Sequence, residues 1–362
     1  MLKKLLLGVA FILALPLVAQ AQTQALDQWK DLTARIKGQT INAVVAGEEA
    51  YVLVLNEFGK KYGVDVQPTV SRPSVALTRI QNEQKSGQFG WDIWMGGTSN
   101  MVNEGVPAGL FEPMEQYFIL PEVKDISQWR HPDFLFGDHL REVFMFSNKL
   151  EFYVLRNPKA VPDAQFETWA DLLNPKFKGK ISMRDASVPN AGTFALATAY
   201  GVMGEEYLRK LLRQDVHVYN NPQQLEQAIF RGGQAVSIGL ETFVYDKCRA
   251  DGGCKDIDMM WDFGAAISLG FVVPKNAPHH DVMVAFVNWM LSKEGQQAWV
   301  DAWAKTNASG AVSMRKDVPP AKGHEQSLPD FSKPQNYVFV SSERGSEEVR
   351  DTIRIFKEET GH

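Results

Sequence analysis

The sequence predicts a two-lobed α/β protein, each lobe a mainly parallel sheet flanked by helices, with a hinge and a cleft between the lobes. Three observations carry this expectation. Short apolar, β-branched runs alternate with amphipathic helical stretches, the order that builds parallel sheets. The chain has 362 residues, too many for one compact core of usual size. Two apolar, strand-like stretches, 141–156 and 266–274, bracket a second α/β unit as an outward and a return crossing.

Residues 1–21 stand apart from this pattern. Lys3 and Lys4 form a basic head, an apolar run follows, and Ala19-Gln-Ala21 is a small-residue cleavage site. The run contains Pro16 and is short for a bilayer span, so an export signal cleaved after Ala21 is expected rather than an anchor. Loss of Lys3 and Lys4 leaves 36 basic and 43 acidic residues, a mature charge of −7. No basic block exceeds two residues, which argues against nucleic acid as a partner.

The elements follow in order. Ile41–Ala46 reads as a buried strand, and Ala50–Tyr62 places Val52, Leu53, Leu55, Phe58 and Tyr62 at helical spacing. Val64–Val66 is the next strand, Ser74–Lys85 a helix closed by Ser86-Gly87, and Trp91–Met95 a third strand. The stretch 141–156 reads as two strands or one bent strand, stopped by Asn157-Pro158. The second unit has helices at Trp169–Leu173, Thr193–Val202, Glu205–Arg213 and Gln223–Phe230, with strands at Lys180–Met183 and Ala235–Leu240. Helices at Asp281–Leu291 and Gly295–Trp303 follow the return, then a Pro-, Ser- and Lys-rich wrap over 304–340 and a closing helix over Glu347–Lys357. The expected lobes are 22–148 plus 268–310, and 149–267, with 311–362 as a C-terminal wrap and helix.

Both cysteines lie in Cys248-Arg-Ala-Asp-Gly-Gly-Cys254, and export to an oxidising compartment makes a disulfide the natural reading. A ring this small contributes roughly 2 kcal/mol. His279-His280 lacks a third ligand at close spacing, so a loop is expected there and no metal site.

Two long motifs carry a resemblance. Trp169-Ala-Asp-Leu-Leu-Asn-Pro-Lys-Phe-Lys-Gly-Lys-Ile-Ser-Met183 resembles the "DLLdPkwKGKI" segment of bacterial extracellular solute-binding proteins, in the branch of ferric-ion, thiamine, polyamine, phosphonate and sugar-phosphate binders. Phe271-Val-Val-Pro-Lys-Asn-Ala-Pro-His-His, with Ala285–Gln296, is similar to the same family's "vvKgAPH…LSkeGQ" stretch. The resemblance implies a type II-like periplasmic binding protein fold. It also implies a monomer without cofactor that hands a small-molecule ligand to an inner-membrane ABC permease. In the ferric-ion binders two adjacent tyrosines near 241–245 ligate the metal. Here Glu241-Thr-Phe-Val-Tyr245 stands instead, which counts against iron.

In open α/β sheets ligands sit outside the carboxyl ends of the strands. Those ends supply Glu48, then Gly97, Thr98 and Ser99, then Arg184, Asn190, Gly192 and Thr193, and finally Glu241 and Tyr245. A helix start with a Thr193 cap beside Arg184 suits a phosphate, phosphonate or carboxylate. Thr98, Ser99 and Glu48 would hold hydroxyls or an amine from the other lobe. Tyr51, Trp91, Trp94 and Phe243 are aromatic candidates for the same edge, with core packing the alternative. Trp91 and Trp94, three apart on a strand, would face opposite ways. The expected function is capture of a small polar anion by hinge closure. The alternatives are an Fe(III), polyamine or thiamine binder of the same fold and, in a different class, a secreted hydrolase. No G-x-S-x-G, H-E-x-x-H, P-loop or G-x-G-x-x-G motif supports the hydrolase.

Overall fold

The computed structural model describes residues 20, 22–162, 166–306, 311–322, 325, 328 and 337–362. The export signal, except Gln20, and much of the 304–340 wrap lie outside the described residues.

An N-terminal helix α1 (22–35) leads into β1 (Thr40–Val45), α2 (Glu49–Tyr62), β2 (Asp65–Val70), α3 (Pro73–Lys85) and β3 (Ile93–Gly97). β1 pairs in parallel with both β2 and β3, so the expected β-α-β-α-β unit is present. A short helix α4 (Pro121–Lys124) precedes β4 (Phe144–Glu151), and residues 152 and 153 connect β4 to β5 (Val154–Arg156). The second unit then runs β6 (Ile181–Arg184), α5 (Ala191–Met203), α6 (Glu205–Leu212), β7 (His217–Tyr219), α7 (Pro222–Phe230), β8 (Val236–Ile238), α8 (Thr242–Ala250) and β9 (Asp258–Met259). β10 (Gly264–Val272) returns to the first sheet, followed by α9 (His280–Leu291), α10 (Lys293–Lys305), β11 (Val312–Ser313), β12 (Tyr337–Val338) and α11 (Glu343–Thr360).

The first sheet is ordered β11-β4-β10-β3-β1-β2, with β12 beside the start of β10, and the second β7-β6-β8-β5-β9. Only part of each sheet is parallel. β4 and β10 lie antiparallel at the centre of the first sheet, and β5 runs antiparallel to β8 and β9 in the second. The reason is topological: β4 carries the chain out of the first lobe and β10 carries it back, so the two travel in opposite directions.

Each sheet has its own core. In the first lobe Phe58, Phe144, Phe146, Phe271, Phe286 and Trp299 are fully buried or nearly so on one face. α9 is apolar almost all round because it is enclosed. Its one buried amide, Asn288, accepts from the backbone N–H groups of Ile119 (2.7 Å) and Leu120 (3.0 Å). Tyr51 packs on Trp299, ring centroids 5.1 Å apart, and is therefore core. Trp91 and Trp94 share one cluster on the other face, against the expectation of opposite faces. The strand starts at Ile93, so strand alternation does not govern Trp91, which lies under the Arg79 guanidinium. Asp92 is fully buried and accepts from the backbone N–H of His279 (2.8 Å), while His279 Nδ1 lies 2.9 Å from its other oxygen. His279 thus anchors a loop, and His280 opens α9. Cys248 and Cys254 form a disulfide at the end of α8.

One buried carboxyl at the foot of β4 makes stability depend on pH. Glu142 is 5% exposed, and burial, with the Asp138 carboxylate beside it, pushes its carboxyl up from 4.5 to about 7. The folded chain therefore keeps a proton between about pH 4.5 and 7 that the unfolded chain has released, so stability falls as pH rises through that window. Glu142→Gln is expected to melt about 2 °C above the parent at pH 8 and level with it at pH 5, checked by thermal unfolding at the two pH values.

Candidate functional site

Loops at the strand ends of both sheets supply the candidate residues, and those of the two lobes come together around residues 99–100 and 189–194. In the first lobe Gly47 and Glu48 are exposed after β1, and Glu48 precedes α2 without capping it. β3 ends at Gly97. Thr98 is fully buried, and its N–H (3.2 Å) and hydroxyl (3.4 Å) both donate to the Ser268 carbonyl of β10. Ser99 donates to the Ser341 hydroxyl at 3.2 Å, which ties the loop to the start of the C-terminal segment.

In the second lobe β6 ends at Arg184, whose guanidinium lies 3.3 Å from a Glu241 carboxylate oxygen. Both side chains stay partly exposed, at 24% and 32%. The start of α5 presses directly on this strand end. A Cβ at Gly192 would sit 2.6 Å from the Arg184 carbonyl, and one at Gly239 would sit 2.8 Å from the Gly192 Cα. Gly239 also holds φ at +99°, a conformation that glycine adopts readily. Bare backbone therefore lines the ground beside Arg184.

The cap of α5 is Asn190, not Thr193. Asn190 Oδ1 accepts from the Gly192 N–H at 2.7 Å, and its amide donates to the Asp185 and Val188 carbonyls. Thr193 lies one turn inside the helix, fully buried, and its hydroxyl donates to the Val188 carbonyl at 2.5 Å. Its role is to brace the 185–190 loop. Tyr245 is also not brought to the cleft. α8 begins at Thr242, so Tyr245 turns back toward the sheet, is 8% exposed, and donates to Asp258 at 3.0 Å. The side chain of Phe243 lies outside the described residues.

The structure adds residues that sequence reasoning missed. Lys149 and Glu151, at the end of β4, form an ion pair at 2.5 Å, and Glu151 accepts from the Thr242 N–H at 3.0 Å. Burial, with the Glu151 and Glu241 carboxylates nearby, pushes the Tyr153 phenol well up. The only sequence signal was a run of polar residues, Ser147–Lys149 and Glu151, inside an apolar crossing strand. Beside these loops lies a cavity of about 320 Å³, walled by Ser99 and Asn100 from the first lobe, Pro189 and Phe194 from the second, and Val349 and Arg350 of α11. Among the described residues, no three His, Cys, Asp or Glu side chains come together to hold a metal.

Residues 54–327 match the family model of bacterial extracellular solute-binding proteins. An uncharacterized protein of Haemophilus influenzae is 26% identical over 281 residues, 74% of this chain and 77% of that protein. Among solved structures, iron-bound HitA from Pseudomonas aeruginosa superposes with a TM-score of 0.60 at 16% identity, covering 89% of this chain and 99% of that one. AfuA from Actinobacillus pleuropneumoniae, with fructose-6-phosphate bound, gives 0.57 at 19% identity over 89% and 99%. AttC from Agrobacterium tumefaciens, open and unliganded, gives 0.67 at 13% identity over 89% and 99%. At these identities the superpositions establish a shared fold, and the family model covers most of the chain. The chain belongs to the bacterial extracellular solute-binding protein family, which sets it among binders and not among secreted hydrolases.

Proposed function

We propose that this protein is the periplasmic substrate-binding component of an ABC importer. It captures a small polar solute with an anionic group (a phosphonate, sugar phosphate or carboxylate) by hinge closure. The observation that carries the reading is Arg184: a partly exposed guanidinium at a strand end, 3.3 Å from a Glu241 carboxylate oxygen, with the residue's own carbonyl and Cβ packed by the backbone of Gly192 and Gly239. An incoming anion exchanges with Glu241 for the guanidinium, and the Gly192 side of α5 adds the favourable end of a helix dipole. Ser99 and Glu48 approach from the other lobe, so their contacts form fully only on closure, whereas Thr98, buried and bonded to the Ser268 carbonyl, braces the 97–100 loop. Closure is then a population shift driven by contacts that the closed state alone offers.

In this reading the moving bodies are 22–148 with 268–310, and 149–267, while α11 rides on the second body. The protein is cleaved after Ala21, works as a monomer and passes its cargo to an inner-membrane permease. HitA carries iron and AfuA a sugar phosphate. Fe(III) wants a set of anionic oxygen ligands, and Glu241-Thr-Phe-Val-Tyr245 lacks the adjacent tyrosine pair of the ferric-ion binders. Native mass spectrometry of protein isolated from the periplasm tests the proposal. One small bound molecule, released intact on denaturation, is expected; recovery of a chemically altered product would overturn it.

A further inference from the structure

The cavity between the lobes has one wall that neither sheet's loops supply. α11 presents Ser346, Val349, Arg350 and Ile353 to it, a single stripe at helical spacing. Two of these residues are unusual. Ser346 is 5% exposed, yet its hydroxyl has no hydrogen-bond partner among the described residues. A buried hydroxyl is ordinarily satisfied, and this unsatisfied one belongs to a residue that lines the cavity. Arg350, one turn on, has no ion-pair partner among the described residues. Its neighbours on the same helix do: Arg344 pairs with Glu348, and Arg354 with Asp351 and Glu358.

The lining of the same cavity also carries the opposite charge. Glu104, in the turn after β3, is held by the Asn100 amide at 2.6 Å. Phe194 and Val349 lie on the apolar part of the wall. A cation, a carboxylate and an apolar surface around about 320 Å³ match a solute that carries both charges on an apolar body. A phosphate dianion matches poorly, because Glu104 repels it.

We infer that this cavity is a second solute site, distinct from the Arg184 cleft, and that it takes a zwitterionic carboxylate with an apolar body. The carboxylate sits on Arg350 and the Ser346 hydroxyl, the cationic nitrogen on Glu104, and the apolar part on Phe194 and Val349. The walls come from both lobes and α11, so occupancy favours one relative placement of the lobes and couples this site to the cleft.

L-leucine, backed by a mixture of the twenty protein amino acids, is the probe, read by thermal shift and calorimetry on the full mature chain. Leucine or a member of the mixture is expected to raise the melting temperature. Its affinity is expected to fall at least tenfold in Arg350→Ala and in Glu104→Gln and to hold in Arg184→Ala. For leucine, 4-methylpentanoate and isoamylamine, each lacking one charge, are expected to bind at least tenfold more weakly. Arg350→Gln serves if the alanine variant is unstable. No response to any amino acid, or a response that survives both Arg350→Ala and Glu104→Gln, overturns the inference. A response lost only in Arg184→Ala also overturns it, by moving the solute to the cleft. None of these outcomes touches the proposed importer role, which stands or falls with the solute recovered from the periplasm.

Discussion

Gly270→Ala is expected to lower the melting temperature by about 5 °C, a loss of roughly 1–3 kcal/mol, and to weaken cargo binding at the same time. Gly270 lies in β10 at the centre of the first sheet. A Cβ there would sit 2.2 Å from the Phe144 carbonyl oxygen of β4 and 2.8 Å from Thr98 Cγ2. The first obstacle is backbone, so no rotamer change relieves it, and β4 and β10 must part. The second is the residue that holds the 97–100 loop in place. Gly97→Ala is the control, because nothing lies within 4 Å of its added Cβ. Thermal unfolding of the two variants side by side checks the claim, and equal melting temperatures would remove it.

Arg184→Ala is expected to cost 10- to 100-fold in affinity for the recovered cargo, the range for one charge-assisted contact in a partly exposed site. Glu241→Gln is expected to act in the opposite sense, raising affinity severalfold, because the guanidinium no longer has a protein carboxylate to leave. Thr193→Ala should leave affinity near that of the parent, since its hydroxyl is spent on the Val188 carbonyl. Calorimetry on the three variants separates these outcomes. Unchanged affinity in Arg184→Ala would place the anion elsewhere.

The parts of the fold legible in the sequence were those written in local period. β1 to β3 and α2 to α3 follow from alternating apolar runs and amphipathic stretches punctuated by Gly and Pro. The paired cysteines needed only their spacing and an oxidising compartment, and the disulfide is present. What failed was fine placement. Asn190 and Thr193 are both good caps by residue type, and a start one turn earlier makes Thr193 a buried brace. Tyr245 would have reached the cleft on an extended chain, but α8 begins three residues before it. The role of α11 was not legible at all. Its periodicity marks a helix, whereas its place beside the cavity depends on β12 pairing with β10 and on Ser99 meeting Ser341, contacts far apart in sequence.

The proposed importer role requires two lobes that close on a solute and release it unchanged. Small-angle scattering on the mature chain, stripped of solute and then titrated with the molecule recovered from the periplasm, tests it most directly. The radius of gyration is expected to fall on addition and to return to its starting value when the same molecule is dialysed away intact. A scattering curve indifferent to that molecule, or a molecule consumed during the titration, would rule out capture by lobe closure.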